Sequence, residues 1–273
     1  TAGNRLFALT RRPAPIQCLL FGYPNTTGIA AIDYRITDAV SDPPGETEAF
    51  NVEKLLRLEG LAWAYQPPAD APPVTPLPSL AGQPFTFGCL NNAAKISDAC
   101  VRAWAKLVAA VPSAKLILLA GQSTEGAAIL KERFAVAGLP PDRLELVMRL
   151  PRRDYFEAYS RCDLALDPFP YNGGVTTGDA LWMGVPVLAV AGRSYVSRQG
   201  VAVLTHVGLP EFAAESPEQL VELAKTWAEN REMLDDIRTG LRSQVAKTIA
   251  DGKAYTTRLE SALRQAWKER IRA

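Results

Sequence analysis

The chain has 273 residues, enough for one large domain or for one complete α/β domain and part of another. Its 48% apolar and 22% charged content is ordinary for a globular protein, and a net charge of +1 offers no general field for nucleic acid or a membrane surface. Any anion must therefore be gripped locally.

No run reaches the roughly 18 apolar residues of a membrane span, and residues 1–12 carry no signal-peptide pattern. The chain starts without Met and is expected to be a piece of a longer protein. Cys18, Cys89, Cys100 and Cys162 are scattered without a CxxC pair, which predicts buried free thiols in a reducing, cytoplasmic setting.

In chain order, residues 16–21 and 32–37 read as short strands, the first closed by the turn signals of Gly22, Pro24 and Asn25. Residues 46–58 have mixed helical character. From 66 to 84 the chain is dense in proline, which removes backbone donors and predicts a partly extended linker. Beyond it, strands are expected at 85–90, 115–120, 144–148, 163–167 and 185–191. Amphipathic helices at 98–110, 124–137, 153–160 and 176–183 alternate with them. That alternation predicts an α/β architecture built on a doubly wound parallel sheet, with ligands at the carboxyl ends of the strands. The tail is helical over 217–228, 231–246 and 255–271, and the Leu259, Leu263 and Trp267 stripe is expected to pack on another surface.

Two stretches carry chemistry. At 169–182, FPYNGGVTTGDALW runs from a strand ending in Asp167 into a helix. Free N–H groups and the dipole of a helix start attract a phosphate, and Gly173 with Gly174 lets the backbone approach it. Thr176 and Thr177 add hydroxyl donors, and Asp179 can accept from sugar hydroxyls. The competing reading is that one of these threonines merely caps the helix. At 88–95, GCLNNAAK ends another strand and delivers Asn91, Asn92 and Lys95, an ammonium suited to a diphosphate. By itself that Lys could equally be a solvated surface charge.

Other chemistries fall away. There is no GxGxxG after a strand, no GK[ST], no GxSxG and no HExxH. His206, the single histidine, lies among apolar residues and reads as structural. No DxD pair occurs, so neutralisation of a diphosphate would fall to Lys95, helix N-termini and Arg198 rather than to a metal. Asn25-Thr26-Thr27 matches a glycosylation sequon but reads as a turn, and Arg152-Arg153 as a solvated helix start.

Taken together, RPAPIQ (12–17), GYPNTTG (22–28), IDYRITD (32–38), NNAAKIS (91–97), LDPFPYNGGVTTGDALWMGVPV (166–187) and the segment around 204–209 resemble the protein O-GlcNAc transferase/SPINDLY family over nearly the whole chain. The resemblance implies a GT-B fold, two Rossmann-like lobes with the donor held mainly by the C-terminal one. It divides the chain into the tail of a first lobe (1–68), a proline-rich linker (69–84) and the nucleotide-sugar-binding lobe with terminal helices (85–273), the last helix crossing back toward the first lobe.

The donor site it implies comprises Asn91, Asn92, Lys95, Leu150, Arg152, Tyr155, Gly174, Val175, Thr176, Thr177 and Asp179. Lys95 would contact the diphosphate with Asn92 nearby, Thr176 and Thr177 would hold phosphate oxygens, Asp179 the ribose, and Tyr155 would lie against the base. Val175 stands where many relatives have a further Thr. The implied activity is metal-independent, cofactor-free transfer of GlcNAc from UDP-GlcNAc to Ser or Thr of an acceptor protein. GDP-fucose transfer of SPINDLY type and an inactive nucleotide-binding scaffold are the alternatives. Tetratricopeptide repeats and the rest of the first lobe would lie upstream, and the chain alone is expected to be inactive.

Overall fold

The computed structural model describes residues 5–20 and 22–272. After a one-turn helix α1 (Leu6–Leu9), strands β1 (Cys18–Leu19), β2 (Tyr34–Asp38) and β3 (Lys54–Leu58) form a parallel sheet in that order. Cys18 pairs with Tyr34, and Tyr34 with Lys54. The first strand is shorter than the 16–21 run predicts, and Phe21 lies outside the described residues.

Residues 46–58 depart from expectation. They form a single 3-10 turn at Glu48–Phe50 and then β3, not a helix. The KLLRL segment has no clean helical or alternating period, so pairing with the extended β2 decides its conformation.

The second sheet is wholly parallel. Its elements are β4 (Thr86–Cys89), α2 (Asp98–Ala110), β5 (Lys115–Gly121), α3 (Thr124–Val136), β6 (Leu144–Met148), α4 (Arg152–Ala158), β7 (Leu164–Leu166), α5 (Val175–Trp182), β8 (Val187–Val190), α6 (Gln199–Val207), β9 (Ala213–Ala214), α7 (Pro217–Glu229), α8 (Arg231–Lys247) and α9 (Gly252–Arg272). Strand order is β6-β5-β4-β7-β8-β9. Two features have no counterpart in the sequence reading, α6 and β9. Val201, Ala202, Val203 and Leu204 are all buried, so α6 is apolar around its circumference and shows no amphipathic period.

Local chemistry starts and stops these helices where the sequence suggests. Ser97, Ser123 and Ser216 accept from the backbone N–H of Cys100, Gly126 and Gln219. Arg143 donates to the carbonyls of Val108, Val111 and Ala114, satisfying the end of α2. Phe87, Trp104, Leu107, Leu116, Leu118 and Leu164 are fully buried between sheet and helices, each contributing about 1.5–3 kcal/mol. Cys89, Cys100 and Cys162 are buried free thiols and Cys18 is half-buried; burial raises all four above the usual thiol range.

The proline-rich stretch is irregular, with a 3-10 turn at Pro78–Ala81, and is not a free tether. Fully buried Arg238 donates from Nε to Thr75 O at 2.6 Å and from Nη1 to Cys162 O at 2.9 Å. Arg242 Nη2 donates to Pro72 O, and the Leu77 N–H donates to Asp235. Polar groups from α8 thus supply the partners that prolines cannot supply to one another.

Helix α9 lies against β3, with Lys54 Nζ 3.2 Å from Glu269 and Arg258 beside Gly60. The stripe expected to pack does so only in part: Leu259 is half-buried. Leu263 and Trp267 are 37% and 49% exposed, and Ala266 is the buried residue of this helix. The helix is rolled so that a small residue faces the sheet. Among the described residues no helix is long and apolar enough to cross a membrane.

Candidate functional site

In the second sheet the chain leaves β4 toward β5 on one side and returns to β7 on the other, so β4 and β7 are neighbours at a topological switch point. Loops leaving their carboxyl ends diverge there and open a crevice. The two stretches singled out in the sequence follow these two strands. A cavity of about 310 Å³ lies between them, lined by Asn91, Lys95, Asn172, Gly174, Thr176 and Gln199, with Gly22 and Pro24 of the first sheet's loop closing one side.

Lys95 enters from a 3-10 turn, Ala93–Lys95, capped by the Asn92 carboxamide, which accepts from Ala94 N. Its ammonium donates to Asn172 O at 2.8 Å and sits 4.3 Å from the centroid of the Tyr171 ring. Burial lowers the Lys95 pKa and the nearby Asp167 opposes that shift. Asn91, itself buried, donates to Thr176 Oγ1 at 2.8 Å, bringing the two loops into direct contact.

Helix α5 begins at Val175 with Gly174 as N-cap and no side-chain capping bond. The capping reading of Thr176 and Thr177 is therefore set aside, and the helix start opens on the cavity. Val175 is 51% exposed. Thr177 does not face the cavity. It is buried, with its hydroxyl 3.5 Å from Asp167.

Asp167 organises the loop from beneath. It accepts from Gly173 N at 2.6 Å and is 3% exposed, and burial pushes its carboxyl up to about 7 despite that hydrogen bond, Lys95 and Thr177. A Cβ on Gly173 would meet Asp167 Oδ1 at 2.7 Å, which explains glycine at this point in the turn.

Tyr155 and Asp179 form a second cluster, one helical turn further along. Asp179 accepts from Tyr65 at 2.7 Å and from Tyr155 at 3.1 Å; burial raises its pKa while both phenols and Arg152 pull it back. Tyr155 lies 3.0 Å from the Tyr159 hydroxyl, which donates to Thr176 O, so the cluster is tied to the cavity wall. Leu150 is half-buried. Arg152 is exposed, 3.8 Å from Asp70, at the start of α4.

Arg198 does not serve the anion site. Its Nε donates to Val40 O at 2.6 Å and its Nη1 to Gly192 O, holding the first sheet's loop against the second sheet. His206 Nε2 lies 3.8 Å from buried Asp38, again between the two sheets. Asn25, Thr26 and Thr27 do not form the expected turn: Asn25 lies at a bend and the two threonines in irregular backbone, anchored by Glu53, which accepts from Thr26 Oγ1 at 2.6 Å and from Thr27 N at 2.7 Å. Sequence reasoning misses Tyr65, Asp167, Tyr171, Asn172 and Gln199 as parts of this site. Asp167 just precedes the motif it selected and Tyr171 and Asn172 lie inside it, whereas Tyr65 and Gln199 arrive from segments with no motif of their own.

Glycosyl transferase family 41 matches residues 1–60 and 78–259. The chain is 40% identical over 274 residues to a protein of Oryza sativa subsp. japonica named "Probable UDP-N-acetylglucosamine--peptide N-acetylglucosaminyltransferase SPINDLY", covering 98% of this chain and 29% of that protein. It thus spans less than a third of that relative's length. Among solved structures it is similar to a mutant O-GlcNAc transferase from Thermobaculum terrenum, with a TM-score of 0.90 at 33% identity, covering 98% of this chain and 51% of that one. Likeness to a sucrose-phosphate synthase from Thermosynechococcus elongatus, TM-score 0.55 at 16% identity over 87% of this chain and 59% of that one, is of fold alone.

Proposed function

Because this chain belongs to glycosyl transferase family 41 and has a GT-B-type fold, we propose that it is the donor-binding part of a protein O-glycosyltransferase that moves GlcNAc from a UDP donor to a Ser or Thr hydroxyl. The observation that carries the reading is the convergence of Lys95 and the side-chain-uncapped start of α5 on one cavity at the switch point. As the acceptor oxygen bonds to the sugar's C1, the bond from C1 to the diphosphate oxygen breaks, and negative charge grows on the departing diphosphate. The Lys95 ammonium and the α5 N–H groups stabilise that charge where it develops. In this reading they do so without a metal, and the proton of the acceptor hydroxyl passes to a base outside these residues, in the remainder of the first lobe. Acceptor protein, cytoplasmic site of action, upstream repeats and the remainder of the first lobe belong to the same proposal.

UDP as the donor's nucleotide is supported by the name of the rice relative. The motifs' likeness to the SPINDLY branch keeps a GDP-linked fucose as the second reading. Calorimetric titration of this chain with UDP and with GDP, on the wild type and on Lys95→Ala, separates them. Tighter UDP binding, weakened roughly 10- to 100-fold by Lys95→Ala, is expected. Tighter GDP binding moves the donor to the second reading, and equal binding by Lys95→Ala removes Lys95 from the site. No binding of either nucleotide overturns donor binding altogether.

A further inference from the structure

Residues 61–65 carry the chain away from the first sheet, with Leu61, Ala62, Trp63 and Tyr65 buried and exposed by no more than 4% each. The polar groups of this segment reach the second sheet's site. Trp63 Nε1 donates to Gln199 Oε1, a cavity-lining residue, at 3.2 Å. The Tyr65 N–H donates to Ile249 O at 2.8 Å, and the Tyr65 hydroxyl donates to Asp179 Oδ1 at 2.7 Å. The Tyr65 ring fills the space over Gly178, where a Cβ would lie 2.7 Å from it.

Asp179 is therefore held from both sides. Oδ1 takes the Tyr65 phenol and Oδ2 takes Tyr155. A carboxylate oxygen accepts about two hydrogen bonds, so one acceptor position remains on each oxygen. The ligand group that matches two adjacent acceptors is a vicinal diol, which carries an O–H donor on each of two neighbouring carbons. Asp179 is 8% exposed, so the carboxylate is held by its neighbours rather than free to rotate in solvent.

We propose that Tyr65 is a positioning residue for the donor's ribose: its phenol fixes the plane of the Asp179 carboxylate so that the carboxylate meets the 2′- and 3′-hydroxyls of a nucleoside diphosphate. This rests on the donor-binding reading. It adds a residue from outside the nucleotide lobe's sheet, and it gives the otherwise unexplained burial of a tyrosine against a carboxylate a role in recognition.

The test is a cycle of two ligands and two proteins. Wild type and Tyr65→Phe are titrated with UDP and with 2′,3′-dideoxy-UDP, or with the guanosine pair if GDP binds tighter. Wild type is expected to lose roughly ten-fold or more in affinity when the diol is removed. Tyr65→Phe is expected to bind UDP several-fold more weakly and the dideoxy ligand as the wild type does, so its discrimination between the two shrinks. An unchanged ratio in Tyr65→Phe overturns the proposal, because a purely structural phenol would weaken both ligands alike. Asp179→Asn keeps the question decidable if Tyr65→Phe does not fold: full retention of the diol preference in that variant also overturns it. Wild type that binds nucleotide without diol preference overturns this proposal alone, whereas wild type that binds neither UDP nor GDP overturns the donor-binding reading as well.

Discussion

Asp167 shows how one side chain can be legible in kind and illegible in role. Its place at the end of a short apolar strand can be read from the sequence, but its burial beneath Gly173 cannot, because that depends on the loop folding back over it. Burial lifts its carboxyl to about 7, whereas an unfolded chain holds it near 4. Between those values the folded state binds the extra proton. The stabilising contribution is complete below about pH 4 and is lost as pH rises through about 7. Asp167→Asn keeps an acceptor for Gly173 N–H but cannot titrate. The melting temperature of wild type is therefore expected to fall relative to that of Asp167→Asn between pH 5.5 and pH 8, by an amount on the order of a few kcal/mol in stability. A constant difference across that range would contradict the assignment. Lys95 stands at the opposite limit: its strand-end position is legible in the sequence and motivates the proposed anion grip, and the structure adds the Tyr171 ring beneath the ammonium and the Asn172 carbonyl that orients it.

Among the elements, α5 carries most of the site. The sequence located its start to within one residue, since Gly-rich and hydroxyl-bearing positions preceding an apolar run have few other readings. Which side chains turn inward was not readable, because an eight-residue helix buried on most sides has no polar face to mark direction. Thus Thr176 faces the cavity wall and Thr177 faces Asp167. Gly178 has a reason only in three dimensions. Alanine there would gain about 1 kcal/mol of helix propensity, but its methyl would press on the Tyr65 ring, an overpacking cost of about 1–3 kcal/mol. Gly178→Ala is expected to lower the denaturant midpoint and to weaken nucleotide binding together; a variant as stable as wild type would show that Tyr65 can move aside freely. The β3 misreading has the same origin as the missed α6. Neither KLLRL nor an all-round apolar helix carries a period from which its partner can be inferred.

At the scale of the whole molecule, the proline-rich stretch and the α8 arginines form one device. Arg238, buried with its guanidinium on Thr75 and Cys162 carbonyls, joins the stretch, the second sheet and the terminal helices. Removing it strands those carbonyls and the space it fills, a loss of about 3–5 kcal/mol for a buried, hydrogen-bonded charge. Arg238→Ala is expected to lower the melting temperature and to expose residues 66–84 to proteolysis; a stretch as protease-resistant as in wild type would show that other contacts hold it. Contacts between the sheets, through Arg198 on Val40, Gln199 on Ser41 and Trp63 on Gln199, likewise come from a segment that sequence reading left unassigned.

By itself the sequence determined the alternation of strand and helix, the two loops that carry an ammonium and a helix start, and the family those motifs resemble. Each of these is written in short-range patterns whose physics is local: apolar period, turn chemistry, capping. Tertiary structure alone decided that β4 and β7 are neighbours, and with that neighbourhood Lys95 meets Thr176 across a cavity. It also decided that Tyr65, more than a hundred residues away along the chain, supplies the phenol on Asp179. Strand order and long-range burial arise from packing and from the topology of crossovers, and no residue's own neighbours along the chain encode them.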